Sequence, residues 1–227
     1  MSRSPILDVL GVGAVTPVGL DATQSCAAIR AGLKRFTAIE TPMLPGQDPR
    51  VGARISAAPG LRRGEDEWLL NLGARALREC CDRPKFEAES TELFLLIPEA
   101  HRGHLLTAYE DAAILDALSR RLELRFAEES RVVRDGAGAL FLAIAEAHAL
   151  IASRRIKRCI VGGADSLLRL FDLERLARSG RLIGPLQSQG VMPGEGAAWV
   201  RVRLGEPLPL PDEDDEDDDD VDDDDHH

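Results

Sequence analysis

The stretch Ala137–Ser153 reads AGALFLAIAEAHALIAS, and only Glu146 and His148 interrupt its run of Ala, Leu, Phe and Ile. A helix that is apolar nearly all round has to be covered on every side, so this segment is predicted to be a central buried helix. Arg131-Val132-Val133 precedes it as a short predicted strand. A basic-polar turn follows it and leads into Cys159-Ile160-Val161, which reads as a second short buried strand.

The same alternation extends outward in both directions. Ile6 to Val15 reads as a buried strand leaving through a glycine-rich turn at Thr16-Pro17, and Asp21 three residues before Gln24 is a capping-box signal for a helix carrying an apolar stripe of Cys26, Ile29 and Leu33. Thr37 to Arg63 has no clear period and is expected to be irregular, with a short strand near Val51 to Ile55. Glu65 to Cys81 places Trp68, Leu69, Leu72, Ala76 and Leu77 at helical spacing behind an acidic first turn. Leu93 to Ile97 is a strand and Thr107 to Leu122 an amphipathic helix. Asp172 to Ser179 is a short helix ending at Gly180, and Ala197 to Leu204 alternates like a final strand with one half-exposed face. Strands alternating with helices predict an α/β domain with a mostly parallel sheet and helices on both faces.

Composition narrows the function classes. The net charge of −11 is concentrated in thirteen acidic residues between Asp212 and Asp225; without them 26 acidic residues face 28 basic ones. The domain is therefore expected to cover residues 1–205, and residues 206–227 to form a disordered acidic tail that cannot bury itself. The basic residues are scattered and nearly all arginine, with little aromatic interleaving, which argues against nucleic-acid binding. No stretch approaches the roughly 18 to 20 apolar residues of a membrane span, and Pro5 and Asp8 break any signal-peptide core, so a cytoplasmic location is expected. Cys26, Cys80, Cys81 and Cys159 show no metal-ligand spacing and are expected to be reduced, buried thiols.

Three motifs carry a resemblance. Leu10 to Gly19, LGVGAVTPVG, with the helix that follows it to Ala31-Gly32, resembles the opening strand and turn of the β-ketoacyl-carrier-protein synthases, which have the thiolase fold. Ala143 to Val161 followed by Gly162-Gly163-Ala164-Asp165-Ser166 is similar to that family's central helix, strand and Gly-Gly-Ala-Asp-like turn. Gly194-Glu195-Gly196-Ala197-Ala198 looks like its Gly-Glu-Gly-Ala turn. In the family's order, these motifs cover roughly residues 6 to 205, so the resemblance implies a thiolase-like half-fold.

The resemblance also implies a family nucleophile, a cysteine at the start of the central helix, where the helix N-terminus lowers a thiol's pKa and holds an oxyanion. That place falls on Ala137, which cannot form a thioester. The family's two histidines, or histidine and asparagine, and its lysine come from a second half that the resemblance does not reach. The implied role is a non-catalytic ketosynthase-like subunit or scaffold that uses no cofactor. Its expected partner is a second copy or a ketosynthase-like heteropartner, with an acyl carrier protein as a further candidate. The alternatives are one component of a 3-oxoacyl-carrier-protein synthase completed by a partner chain, and an acyl-chain binding module.

Individual residues are read conservatively. Leu140, Phe141, Ile144 and His148 are interface candidates on a helix that a half-fold leaves uncovered on one side. A lone histidine on an apolar face more often meets a backbone acceptor or a subunit boundary than a substrate, and Glu146 is expected to pair locally. His101 and His104 flank a glycine without a third ligand, so no metal is expected. Gly162, Gly163, Gly194 and Glu195 are read as structural turn residues, with Glu195 accepting backbone N–H bonds. Gly11 and Gly13 lack the third glycine of a nucleotide fingerprint. Because like charges repel and bury nothing, deleting residues 212–227 is expected to leave the thermal melting temperature nearly unchanged. A loss of several degrees in a melt of the truncated protein would show that the tail docks on the fold.

Overall fold

A computed structural model describes residues 6–39, 50–56, 66–82, 86–99, 102, 110–184 and 187–205. His101, His104, the start of the predicted Thr107 helix and the acidic tail lie outside them.

Five strands form the main sheet: β1 (Leu7–Val15), β4 (Glu92–Leu96), β5 (Arg131–Val133), β6 (Arg158–Ser166) and β7 (Glu195–Leu204), in the order β1-β7-β6-β4-β5. β4 pairs parallel with both β5 and β6, whereas β7 runs antiparallel between β6 and β1. Four of the five strands therefore point the same way, as a mostly parallel sheet requires, and β7 alone is reversed. β7 is the final strand, with the alternating burial its sequence predicts, and it lies inside the sheet, hydrogen-bonded on both edges, which a side-chain pattern does not show. A separate antiparallel pair is made by β2 (Thr37–Ile39), in the stretch expected to be irregular, and β3 (Arg50–Gly52), which overlaps the short strand expected near Val51 to Ile55.

Helices cover both faces. α2 (Asp66–Cys81) and α3 (Asp111–Leu122) bury Trp68, Leu69, Leu72, Leu77, Ile114 and Leu118 against Leu93, Leu95, Ile160 and Trp199. The α2 backbone comes so close to β1 that a Cβ on Gly13 would stand 1.9 Å from the Ala76 carbonyl oxygen, so the glycine there is a packing requirement. Glu79 of α2 extends the contact, accepting from Ala14 N at 3.0 Å and from Ala22 N at 2.9 Å, which ties the end of β1 to the start of α1 (Ala22–Arg30). The predicted cap is present, with Asp21 Oδ1 accepting from Gln24 N at 2.7 Å.

The opposite face carries α4 (Ala139–Ala152), entered through a 3-10 turn at Gly136–Gly138. α4 turns Ala139, Ala143, Ala147 and Ile151 inward, the last three packing against Phe94, Cys159, Val161 and Val202. Its larger side chains point away from the sheet: Phe141 is 76 % exposed and Leu142 61 %, with Leu140 also exposed and Ile144 and His148 part-buried. Glu146 pairs with Arg131 of β5. α5 (Leu170–Arg178) closes a smaller cluster of Ile39, Leu173, Leu176 and Leu182.

Several expectations need correction. Gly162 and Gly163 are not turn residues but interior positions of β6, which continues to Ser166; a Cβ at Gly162 would lie 2.1 Å from the Ala198 carbonyl oxygen and one at Gly163 2.0 Å from that of Leu96. Glu195 is the first residue of β7, paired with Ser166, rather than a turn residue. α1 buries Ala22, Ser25 and Ala28 and leaves Cys26 and Ile29 exposed, with Leu33 exposed beyond its end, so its predicted apolar stripe is the outer one. Cys26 is thus the exception among the thiols expected to be buried.

Among the described residues, Glu92 Oε2, Arg131 Nη2 and Arg201 Nε are buried without a hydrogen bond, and the carboxylate has a consequence for stability. Glu92 at the start of β4 is 8 % exposed and its Oε2 has no hydrogen-bond partner. Burial, and then the nearby Glu129 carboxylate, raise its pKa above the ordinary value. A carboxyl with a raised folded pKa binds its proton more tightly in the native state, so it supports stability at low pH. That support is lost as pH rises from the unfolded pKa through the folded one. Glu92→Gln is expected to raise the melting temperature at pH 7 and to leave it unchanged at pH 4; equal gains at both pH values in thermal melts would show that Glu92 does not titrate in this way.

Candidate functional site

The carboxyl ends of β4 and β6, the first residues of β7, the entry to α4 and the side of α5 border an open groove of about 730 Å3. Its surface is mostly apolar, with Leu96, Val161 and Val200 from the sheet, Leu140 from α4, and Leu176 and Val191 opposite. The groove lies where parallel strands end and a helix begins, the usual place for ligands in α/β sheets.

Its polar side is built on Arg102. The guanidinium donates from Nε to Asp172 Oδ1 at 3.0 Å, from Nη2 to Asp172 Oδ2 at 3.3 Å and to the Ser166 carbonyl at 2.9 Å, and from Nη1 to Asp165 Oδ2 at 2.6 Å. The Arg102 and Asp172 side chains are 6 % and 1 % exposed, whereas that of Asp165 is 51 % exposed. Burial pulls the arginine's pKa down, but its hydrogen-bonded carboxylates outweigh that and hold it above the ordinary value. This fork locks the exit of β4 to the end of β6 and to the first turn of α5. Arg175 approaches Asp172 to 3.8 Å from the groove side, and Arg181 also lines the groove.

The entry to α4 forms the opposite border. Ala137 is the middle residue of the Gly136–Gly138 turn. Gly136 has φ +66°, and a Cβ there would stand 1.9 Å from Glu99 Oε1, so the Glu99 carboxylate packs directly on the turn. Gly138 occupies the N-cap of α4 with no side-chain hydrogen bond. Thr16 contributes the groove's one hydroxyl among the described residues, and it is held at 2.9 Å from Ser25 Oγ.

Neither cysteine, histidine nor lysine is among the described residues that line the groove. Cys159 sits near the start of β6, two residues and about 7 Å of strand from Val161, where the lining on that strand begins. Burial, and then Glu92, push its thiol up to about 12. Burial likewise pushes Cys81 up to about 12, against the lowering effect of Arg201. The arrangement offers an apolar surface with a fixed cation and carboxylates at its rim, and no thiolate within it.

Of the residues singled out in the sequence, Gly162, Gly163 and Leu140 border the groove, and Ala137 lies in the turn beside it. Phe141, Ile144 and His148 continue along α4 away from it. Gly194 and Glu195 serve a junction instead: Gly194 bridges to Ala53, and Glu195 accepts from Ile55 N and from Trp68 Nε1, each at 2.9 Å. Sequence reasoning missed Arg102, Glu99 and Asp172. Asp165 lies within a quoted motif, but no periodicity marks a loop arginine as the partner of two carboxylates 63 and 70 residues away.

Removing one partner of a buried pair leaves an uncompensated charge. Arg102→Met is expected to destabilise the fold by about 3–5 kcal/mol, and adding Asp172→Leu to recover much of that loss. Chemical denaturation of the two variants measures the coupling, and additive losses would show that the fork is not a unit.

No protein-family profile and no curated protein matches this sequence. Solved structures do. The ketosynthase from module 6 of the bacillaene synthase from Bacillus subtilis 168 is similar over 87 % of this chain and 40 % of its own, at 13 % identity and a TM-score of 0.64. The ishigamide ketosynthase/chain length factor is similar over 91 % of this chain and 63 % of its own, at 20 % identity and a TM-score of 0.61. AntDE:AntF, a type II PKS acyl-carrier protein in complex with its ketosynthase bound to the hexaketide, matches over 89 % of this chain and 59 % of that one, at 13 % identity and a TM-score of 0.69. The chain therefore has the thiolase-like α/β fold of the ketosynthases and spans 40–63 % of the length of those it matches.

Proposed function

We propose that this chain is a non-catalytic ketosynthase-like subunit or scaffold, in polyketide or fatty-acid-type synthesis, that works beside a ketosynthase-like partner. The observation that carries the reading is Ala137 in the turn entering α4, beside a groove whose described lining holds no thiol or imidazole. Condensation needs a thiolate to take up the acyl group and donors to stabilise the enolate formed on decarboxylation. Glu99, Arg102 and Thr16 supply neither a nucleophilic thiol nor an acid–base imidazole. The ishigamide ketosynthase/chain length factor, a structural neighbour that joins the two, supports a partner role.

A second reading is favoured by the groove itself. Its volume of about 730 Å3 and largely apolar lining suit a flexible acyl chain, with its polar end toward the arginines of the rim. A binding module would hold such a chain without reacting with it. No helix among the described residues is long and apolar enough to cross a membrane.

Incubation with acyl- and malonyl-carrier protein separates these readings. Intact mass is expected to show no acyl adduct on Cys26, Cys80, Cys81 or Cys159, and a ketosynthase-like protein is expected to co-purify. A stoichiometric thioester on the folded protein would overturn the non-catalytic reading, and stable acyl binding without a protein partner would favour the binding module. Cys26 alone is exposed, so a thiol reagent is expected to modify one cysteine in the native protein and four in denaturant.

A further inference from the structure

The rim of the groove carries an unmatched charge on its α5 side. Arg102 is bonded to two carboxylates, those of Asp165 and Asp172, so the fork by itself holds one more negative charge than positive. Arg175, 3.8 Å from Asp172, offsets the extra one. Arg181 then remains: it is exposed, it lines the groove, and it makes no ion pair among the described residues. Three guanidinium groups thus meet two carboxylates on this side, a surplus of one positive charge. The other carboxylate of the described lining, Glu99, packs on the turn entering α4 at the opposite border.

Arg181 is held in place by the apolar wall itself. Its N–H donates to the Leu176 carbonyl at 2.8 Å and its carbonyl accepts from Val191 N at 2.5 Å, and Leu176 and Val191 both line the groove. Leu96 and Val161 on the sheet and Leu140 on α4 continue the apolar lining away from that rim. A backbone-anchored cation at one end of an apolar surface is the arrangement that an anion carrying a hydrocarbon chain requires, with few polar groups fixing its orientation.

We infer that the groove takes a free fatty acid, its ionised carboxylate held by Arg181 and Arg175 and its alkyl chain laid along the apolar wall toward the entry of α4. This inference deepens the binding-module reading given above and rests on it. One surplus positive charge matches one carboxylate, whose planar shape suits the fork of a guanidinium. The same chain carried as a thioester has no charge at that end and leaves Arg181 unmatched. An alkyl phosphate brings about −1.5 to −2 charges near neutral pH, more than the surplus. The groove volume of about 730 Å3 lies within the roughly 300–1,000 Å3 of small-molecule sites.

Isothermal titration calorimetry of the full chain with decanoate, decan-1-ol and decyl phosphate at neutral pH tests the inference. Decanoate is expected to bind one-to-one, about tenfold or more tighter than decan-1-ol, and tighter than decyl phosphate. Arg181→Met is expected to bring decanoate down to the affinity of decan-1-ol with an unchanged circular dichroism spectrum, since the side chain makes no ion pair among the described residues. Arg178→Met, which removes an arginine of α5 that pairs with Glu174 outside the groove, is expected to leave decanoate binding unchanged. If Arg181→Met loses its fold, the three ligands on the unaltered chain decide. Equal affinities for decanoate and decan-1-ol, tighter binding of decyl phosphate, or equal losses in Arg181→Met and Arg178→Met overturn the inference and leave the binding-module reading standing. Binding of none of the three overturns both.

Discussion

The contact between the alanine side of α4 and the sheet governs the rest of the molecule. Ala143 and Ala147, one turn apart, and Ile151 beyond them set the helix close against Phe94, Cys159 and Val161. Small residues inward leave the large ones outward, so Phe141 and Leu142 stand in the open. Covering a large apolar side chain is worth roughly 1.5–3 kcal/mol. Several of them together are comparable with the whole stability of a domain, about 5–15 kcal/mol. Among the described residues, α4 is covered on its alanine side and open on the side that carries Phe141 and Leu142.

The other face is complete in itself. α2 seats on β1 where Gly13 admits the helix backbone, Trp199 Nε1 donates to the Gly73 carbonyl at 2.9 Å, and Glu79 satisfies two amides at the junction with α1. The edge of β1 is blunted at the same time: its register shifts between Val9 and Gly11, and Glu79 takes the Ala14 amide. Such features oppose strand addition at an exposed edge. They leave the sheet face, rather than the β1 edge, as the open surface on that side of the molecule.

The groove follows from the same architecture. Parallel strands β4 and β6 end together, the antiparallel β7 starts beside them, and the Arg102 fork holds that end rigid through Asp172 and Ser166. Rigid positioning and an apolar lining are what a binding surface requires. The turn that enters α4 at the groove's border carries alanine at its centre and so presents no thiol there.

The sequence by itself determined the alternation of elements, because the helical spacing of Trp68, Leu72 and Ala76, the long apolar run of α4 and the apolar runs in β4 and β6 are properties of neighbouring residues. The extents of α2, β5 and α4 were legible within a residue or two, and the Asp21 cap to the residue. Tertiary structure alone decided which side of α1 faces inward: it buries Ala22, Ser25 and Ala28 instead of Cys26, Ile29 and Leu33. It also decided that β7 inserts between β1 and β6, that Gly162 and Gly163 belong to a strand, and that Arg102 joins Asp165 to Asp172. Each of these depends on contacts between residues far apart in the chain, whose geometry exists only once the sheet has formed.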